Sequence, residues 1–285
     1  MLQSDPHARR LAGNLAGYDH LLIAFSGGVD STLLLAEAVR ALGVGRVLAL
    51  TALSPTLSEV ERQESESLAV RIGARHLLRE SGEMEDPRFV QNGPRRCYYC
   101  KSALFEMARQ VVEEQPEPQR WQMAYGANRD DLGDDRPGMV AAQEAGAVAP
   151  LLDVGLGKLE IRKLSRLHGL PTADKPAFAC LSSRFPTHTA ITLVGLKRVE
   201  AAEMVLRNNG FRQYRVRDYG GLARVELGRD ELGRLDHVGL KARIIQGVLA
   251  AGFEKVTLDP DGYRMGGAAP EKISVQLPLS GSKSS

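Results

Sequence analysis

Apolar residues in this chain follow two rhythms that take turns. Short runs of strand length lie at 21–25 (Leu21-Leu22-Ile23-Ala24-Phe25), 46–51, 75–80 and 123–126. Between them apolar positions recur at helical spacing: over 8–17, from Ser31 to Gly43, and over 57–72, where Val60, Leu68 and Ile72 sit amid Glu and Arg. The same spacing continues over 101–112, 140–144 and 158–168, with Gly73, Gly169 and Pro171 as stops. Strands alternating with helices predict βαβ units and a parallel sheet covered on both faces. Beyond the proline-bracketed segment 175–186 the rhythm changes. A helix over 191–209 ends at Gly210, strands at 214–217 and 223–227 flank Gly220-Gly221, and a helix over 237–251 precedes a strand at 255–258. The fold class expected is therefore α/β, a parallel-sheet domain over 1–176 followed by a smaller α+β domain over 177–270. A polar tail over 271–285 is expected to be disordered.

Length and composition agree with two soluble domains: 285 residues, 43% of them apolar and 25% charged. A net charge of +2 supplies no basic field for non-specific nucleic-acid binding, which weighs against a tRNA substrate. No apolar run approaches the roughly 20 residues of a membrane span. The first ten residues are polar and contain Asp5, Pro6 and His7, unlike a signal peptide, so a cytoplasmic, reducing location is expected. There the three cysteines, Cys97, Cys100 and Cys180, read as metal-binding or catalytic before disulfide-forming. No internal repeat is evident.

Chemistry concentrates where the first strand meets the next helix, at Ser26-Gly27-Gly28-Val29-Asp30-Ser31-Thr32. Glycines let a backbone pass close to an anion, and the helix start offers unpaired N–H groups and a positive dipole end. Ser26, Ser31 and Thr32 add hydroxyls, and Asp30 suits a magnesium ion. The loop lacks both the Walker spacing and the dinucleotide Gly pattern. It resembles the pyrophosphate loop (PP loop) of the ATP pyrophosphatases, which cleave ATP between the α and β phosphates.

Cys97 and Cys100 open a helix, whose N-terminus favours thiolate. Two thiolates from one turn and a third from a distant loop suit a 4Fe–4S cubane with one open iron. They also suit zinc, with His168 or His188 as fourth ligand. After the strand at 123–126 comes a carboxylate-rich loop with Asp130, Asp131 and Arg136, either a second site loop or a solvated turn with capping aspartates.

Four stretches in order resemble the LarE family of ATP-dependent sulfur transferases: SGGVDST (26–32), RRCYYCK (95–101), GANRDDLGDDRPG (126–138) and KPAFACLSSRFP (175–186). The similarity spans about residues 8–268, and YRVRDY and ARVEL near the C-terminus belong to it. The family's third motif often reads ADDLGDYRPG; here Arg129 and Asp135 replace its Ala and Tyr.

The resemblance implies a PP-loop domain of the adenine nucleotide alpha hydrolase type, using ATP and Mg2+. It implies adenylation of a carboxylate of pyridinium-3,5-biscarboxylic acid mononucleotide and its conversion to a thiocarboxylate, a step toward the nickel-pincer nucleotide of lactate racemase. Members with one cysteine sacrifice its sulfur; those with three hold a 4Fe–4S cluster carrying an extra sulfide, and Cys97, Cys100 and Cys180 match the latter. The sulfide donor is not implied. Arg184 and Ser183 match motif positions near the phosphate or the transferring sulfur. Glu203, Arg215, Arg217 and Glu226 match the substrate set, where guanidiniums would grip a phosphate or carboxylate; a solvated strand face is the competing reading of the two arginines. Homo-oligomers, hexamers in the family, are implied as well. The rival functions are a tRNA thiolase of the same superfamily and a nucleotide- or metal-binding protein without turnover.

Overall fold

The computed structural model describes residues 5–132, 136–176 and 179–264. The expected tail over 271–285 lies outside them, as do Asp135 and the rest of 133–135. Among the described residues no helix is long and apolar enough to cross a membrane. The chain divides into two compact units, residues 1–180 and 181–285.

In the first unit, helix α1 (Pro6–Leu15) is started by Asp5, whose carboxylate accepts from the His7 and Ala8 amides. Strand β1 (His20–Ala24) leads through the glycine loop into α2 (Val29–Leu42). Strand β2 (Val47–Leu53), helix α3 (Glu59–Ile72) and strand β3 (Arg75–Glu80) follow. Ser58 caps α3, and Gly73 ends it with φ +76°, a left-handed stop that favours glycine. Next come α4 (Pro87–Val90), α5 (Arg96–Glu113) and β4 (Trp121–Tyr125). Three helices complete the unit, α6 (Pro137–Glu144), α7 (Pro150–Asp153) and α8 (Lys158–Leu167).

The sheet order is β3-β2-β1-β4, with all pairs parallel, so the α/β expectation holds. Alternation along β1 sends Leu21 and Ile23 to one face, with Leu11, Leu33, Leu34 and Ile161. Leu22 goes to the other, with Leu48, Leu50, Phe105 and Val111. Both faces are covered, as parallel sheets require. Emptying one such site, for example Leu50→Ala, costs about 2–5 kcal/mol.

In the second unit, α9 (Leu193–Asn208) is capped by the Thr192 hydroxyl on the Gly195 amide. Strands β5 (Tyr214–Tyr219) and β6 (Leu222–Leu227) form an antiparallel hairpin. Helix α10 (Leu240–Ala250) returns the chain so that β7 (Lys255–Leu258) adds parallel to β6. The hairpin turns at Gly220 and Gly221, both at positive φ.

Sequence spacing found every strand among the described residues. It missed α4 and α7, four-residue turns begun by Pro87 and Pro150 that are too short to carry a period. It also started α5 late: the helix runs from Arg96, so Cys97 and Cys100 lie on its first turns.

Candidate active site

Ser26, Gly27 and Gly28 leave the carboxyl end of β1, where open α/β sheets place their ligands. Gly27 has φ +67°, a conformation that L side chains rarely adopt. The hydroxyls of Ser26 and Ser31 lie 3.2 Å apart; the Ser26 amide donates to Ser31 Oγ at 3.3 Å and Ser31 Oγ to the Gly28 carbonyl at 3.3 Å. No side chain caps α2, which leaves its first amides for an anion. Lys175 pins the loop from outside, donating to the Gly27 carbonyl at 3.1 Å while pairing with Glu64 at 2.8 Å.

The loop opens onto a cavity of about 610 Å3 within the first unit. Ser26, Gly28, Asp30 and Ser31 form one part of its wall, and Cys97, Cys100 and Cys180 another. Asp131 and Arg136 also line it, but Gly27, Thr32 and Asp130 do not. Thr32 is fully buried, its hydroxyl without a hydrogen-bond partner among the described residues.

Asp30 has two unlike oxygens. Oδ2 takes the Lys158 ammonium, whereas Oδ1 is buried with no partner among the described residues. Burial pushes the Asp30 carboxyl above its ordinary range, while Lys158 pulls it down. A buried carboxylate oxygen left unmatched costs free energy that a divalent cation would offset, so the residues fit magnesium.

The carboxylate loop both caps itself and reaches the cavity wall. Asp131 Oδ2 accepts from the Asn128 amide at 3.0 Å, a capping contact, and its Oδ1 meets Arg136 at 2.6 Å on the cavity wall. Asp130 stays off that wall, accepting from the Lys158 amide at 2.8 Å and lying 3.9 Å from Arg129 Nε. Arg129 braces the loop against α8 through the Gly155 carbonyl at 3.1 Å and Glu160 at 3.3 Å.

None of the three cysteines is in a disulfide. The expectation that the helix start favours thiolate is corrected for Cys100. Burial, then the neighbouring Cys180 thiol, pushes it up to about 12, overriding Lys101. Such a thiol would release its proton to solvent as a metal took its place on sulfur. Three soft thiols on one wall would suit an iron–sulfur cluster, although no three ligating side chains among the described residues are drawn to metal distance. His168 does not line the cavity; it contacts Glu37 and lies 3.0 Å from Arg40. His188 is exposed in the second unit. His168 therefore gives the zinc reading no fourth ligand on this wall.

Among the features that escaped sequence reasoning are Glu83 and the close approach made by Gly126. Glu83 is buried yet lines the cavity, its carboxylate accepting from the hydroxyls of Ser54 and Ser81. Gly126 brings the end of β4 against α2. A clue existed for both, since each follows the carboxyl end of a parallel strand.

In the second unit, Arg184, Glu203, Arg215, Arg217 and Glu226 are all buried, which corrects the solvated-face reading of the arginines. Arg184 grips Glu203 through Nε and Nη2, both at 2.8 Å. Arg217 Nε meets Glu226 at 3.1 Å, and Nη1 donates to the Ser183 carbonyl at 2.9 Å. Arg215 lies 5.0 Å over the Tyr263 ring and donates to the Tyr214 carbonyl at 2.7 Å. Burial, then nearby Arg184, pushes its guanidinium down.

No protein-family model matches the chain. Individual proteins do. An "Uncharacterized protein" of Synechocystis sp. is 41% identical over 272 residues, covering 93% of this chain and 97% of that one. An "Uncharacterized protein" of Methanocaldococcus jannaschii is 30% identical, covering 86% and 90%. A pyridinium-3,5-bisthiocarboxylic acid mononucleotide synthase of Lactiplantibacillus plantarum is 33% identical over 256 residues, covering 90% of this chain and 91% of its own. Identity at that level over nine-tenths of both chains means that the chain belongs to the pyridinium-3,5-bisthiocarboxylic acid mononucleotide synthase family, LarE.

Proposed function

We propose that the protein is an ATP-dependent sulfur transferase that converts a carboxylate of pyridinium-3,5-biscarboxylic acid mononucleotide to a thiocarboxylate, a step in nickel-pincer nucleotide biosynthesis. The observation that carries this reading is a single cavity walled by both the PP loop and the three thiols. A carboxylate cannot readily expel oxide. Its oxygen attacks the α-phosphorus of ATP, pyrophosphate leaves, and AMP remains on that oxygen as a leaving group. Sulfide then forms the C–S bond as the C–O bond to AMP breaks.

The chain's own groups divide the work. Amides and hydroxyls of Ser26, Gly28 and Ser31 would receive the pyrophosphate. Asp30 Oδ1 would hold Mg2+, which offsets charge on the departing group. Cys97, Cys100 and Cys180 would hold a 4Fe–4S cluster, which when bound supplies the sulfide. Arg184, Arg215 and Arg217 set three guanidiniums against the carboxylates of Glu203 and Glu226, an excess of positive charge that suits an anionic substrate group.

The test is anaerobic purification with iron and sulfide analysis, then incubation with ATP, Mg2+ and the mononucleotide. Pyrophosphate, AMP and a thiocarboxylate product are expected. Thiolated tRNA instead would move the chain to the tRNA thiolases, and ATP binding without turnover would make it a sensor.

A further inference from the structure

A polyphosphate carries more charge than amides and hydroxyls balance, and the sequence of this loop contains no lysine. An ammonium nevertheless stands in it. Lys158, the first residue of α8, reaches across 128 positions of sequence to Asp30 Oδ2. Its placement is built into the backbone. The Lys158 amide donates to Asp130 at 2.8 Å, and the Gly157 amide donates to Glu160 at 2.9 Å. A Cβ on Gly157 would lie 2.6 Å from Arg129 Nη2 and 2.7 Å from Asp130 Oδ1, so two charged side-chain ends pack directly against the turn before the lysine. The carboxylate loop thus clamps the start of α8 and aims one side chain at the PP loop.

The partner is unusual for a structural ion pair. Asp30 lines the cavity and keeps its other oxygen buried and unmatched. The lysine side chain is 38% exposed, so it has room to swing. A carboxylate that held a divalent cation would lose its attraction for an ammonium at the same position, and the displaced charge would have the polyphosphate beside it.

We propose that Lys158 is a phosphate-binding residue of the nucleotide site, standing on Asp30 in place of the divalent cation and transferring to the polyphosphate when metal and nucleotide enter. This rests on the reading of the cavity as an ATP site. It makes the lysine a competitor of the metal alone and a partner of the metal–nucleotide together, two effects of opposite sign.

Calorimetry with α,β-methylene-ATP and Mg2+, AMP binding, and Mn2+ binding followed by electron paramagnetic resonance test it on full-length wild type and Lys158→Gln. The variant should bind the triphosphate analogue about tenfold or more weakly, the loss of a charge-assisted hydrogen bond. AMP affinity should change by less than about twofold, and Mn2+ alone should bind more tightly. Unchanged analogue binding, equal loss of AMP, or unaltered Mn2+ affinity would each overturn the assignment. A second measurement needs no variant: lysine acetylation footprinting of wild type should show Lys158 more reactive with Mg2+ alone and protected with Mg2+ plus analogue. Equal reactivity in both states sinks the proposal. Wild type that binds no analogue would instead remove the ATP reading on which the proposal stands.

Discussion

Gly126 and Ser31 approach so closely that a Cβ on the glycine would lie 2.9 Å from the Ser31 amide nitrogen and 3.2 Å from Asp30. The end of β4 is thereby pressed against the first turn of α2, and backbone has little freedom to yield. Gly126→Ala should cost about 1–3 kcal/mol through overpacking and displace the amides meant for phosphate. A lowered melting temperature together with weakened α,β-methylene-ATP binding checks this; unchanged binding would mean that the loop tolerates the shift.

His76 links stability to pH. Thr51 Oγ1 donates to the Phe25 carbonyl at 2.6 Å, so at 2.8 Å it must accept from His76 Nε2. Burial holds the His76 pKa below its ordinary value. The native state then binds this proton less readily than the unfolded chain. The contribution is present above the unfolded value of about 6.5 and is lost as pH falls from there through the folded value. Urea titrations from pH 7.5 to 5 should show stability falling on acidification, with a flatter dependence in His76→Gln.

Arg184 and Glu203 form a buried two-pronged pair, and Glu203 also accepts from the Val216 amide at 3.0 Å. Arg184→Ala strips the buried Glu203 of its two-pronged partner, at a cost of about 3–5 kcal/mol. Arg184→Lys should recover little of it, because an ammonium cannot reproduce the fork. Denaturant unfolding of the three proteins measures the difference.

The thiols and the loop share a cavity wall but not their chemistry. Single Cys→Ser changes at positions 97, 100 and 180 should each lower iron per chain in anaerobic preparations. Each should leave triphosphate-analogue affinity within about twofold. Full iron retention in any one of them would remove that cysteine from the ligand set.

The strand, loop and helix over 20–42 were legible in sequence because they are local: an apolar run, a glycine turn and a helical period need no distant partner. The same holds for the cysteine pair on α5. Burial of Arg215 and Arg217 was not legible. Period-two alternation says that they share a face, not that the Glu203 carboxylate arrives from α9 to meet the Val216 amide between them. Lys158 and Lys175 were hidden for a similar reason, since each acts on the loop from more than a hundred residues away. Asp130 and Asp131 have the same side-chain chemistry and adjacent positions, yet only one faces the cavity.

Strand order has an evolutionary corollary. The chain lays down β1, β2 and β3 in sequence and then doubles back to set β4 on the far side of β1. Helix α5 makes that return journey, so its opening turn departs from the same edge of the sheet at which the glycine loop emerges. Sulfur ligands placed on that turn inherit their proximity to the nucleotide loop from the path of the backbone. Farther along the same helix, Phe105 and Val111 fill the core beneath the sheet, so the element that carries the thiols is also anchored to the strands that carry the loop.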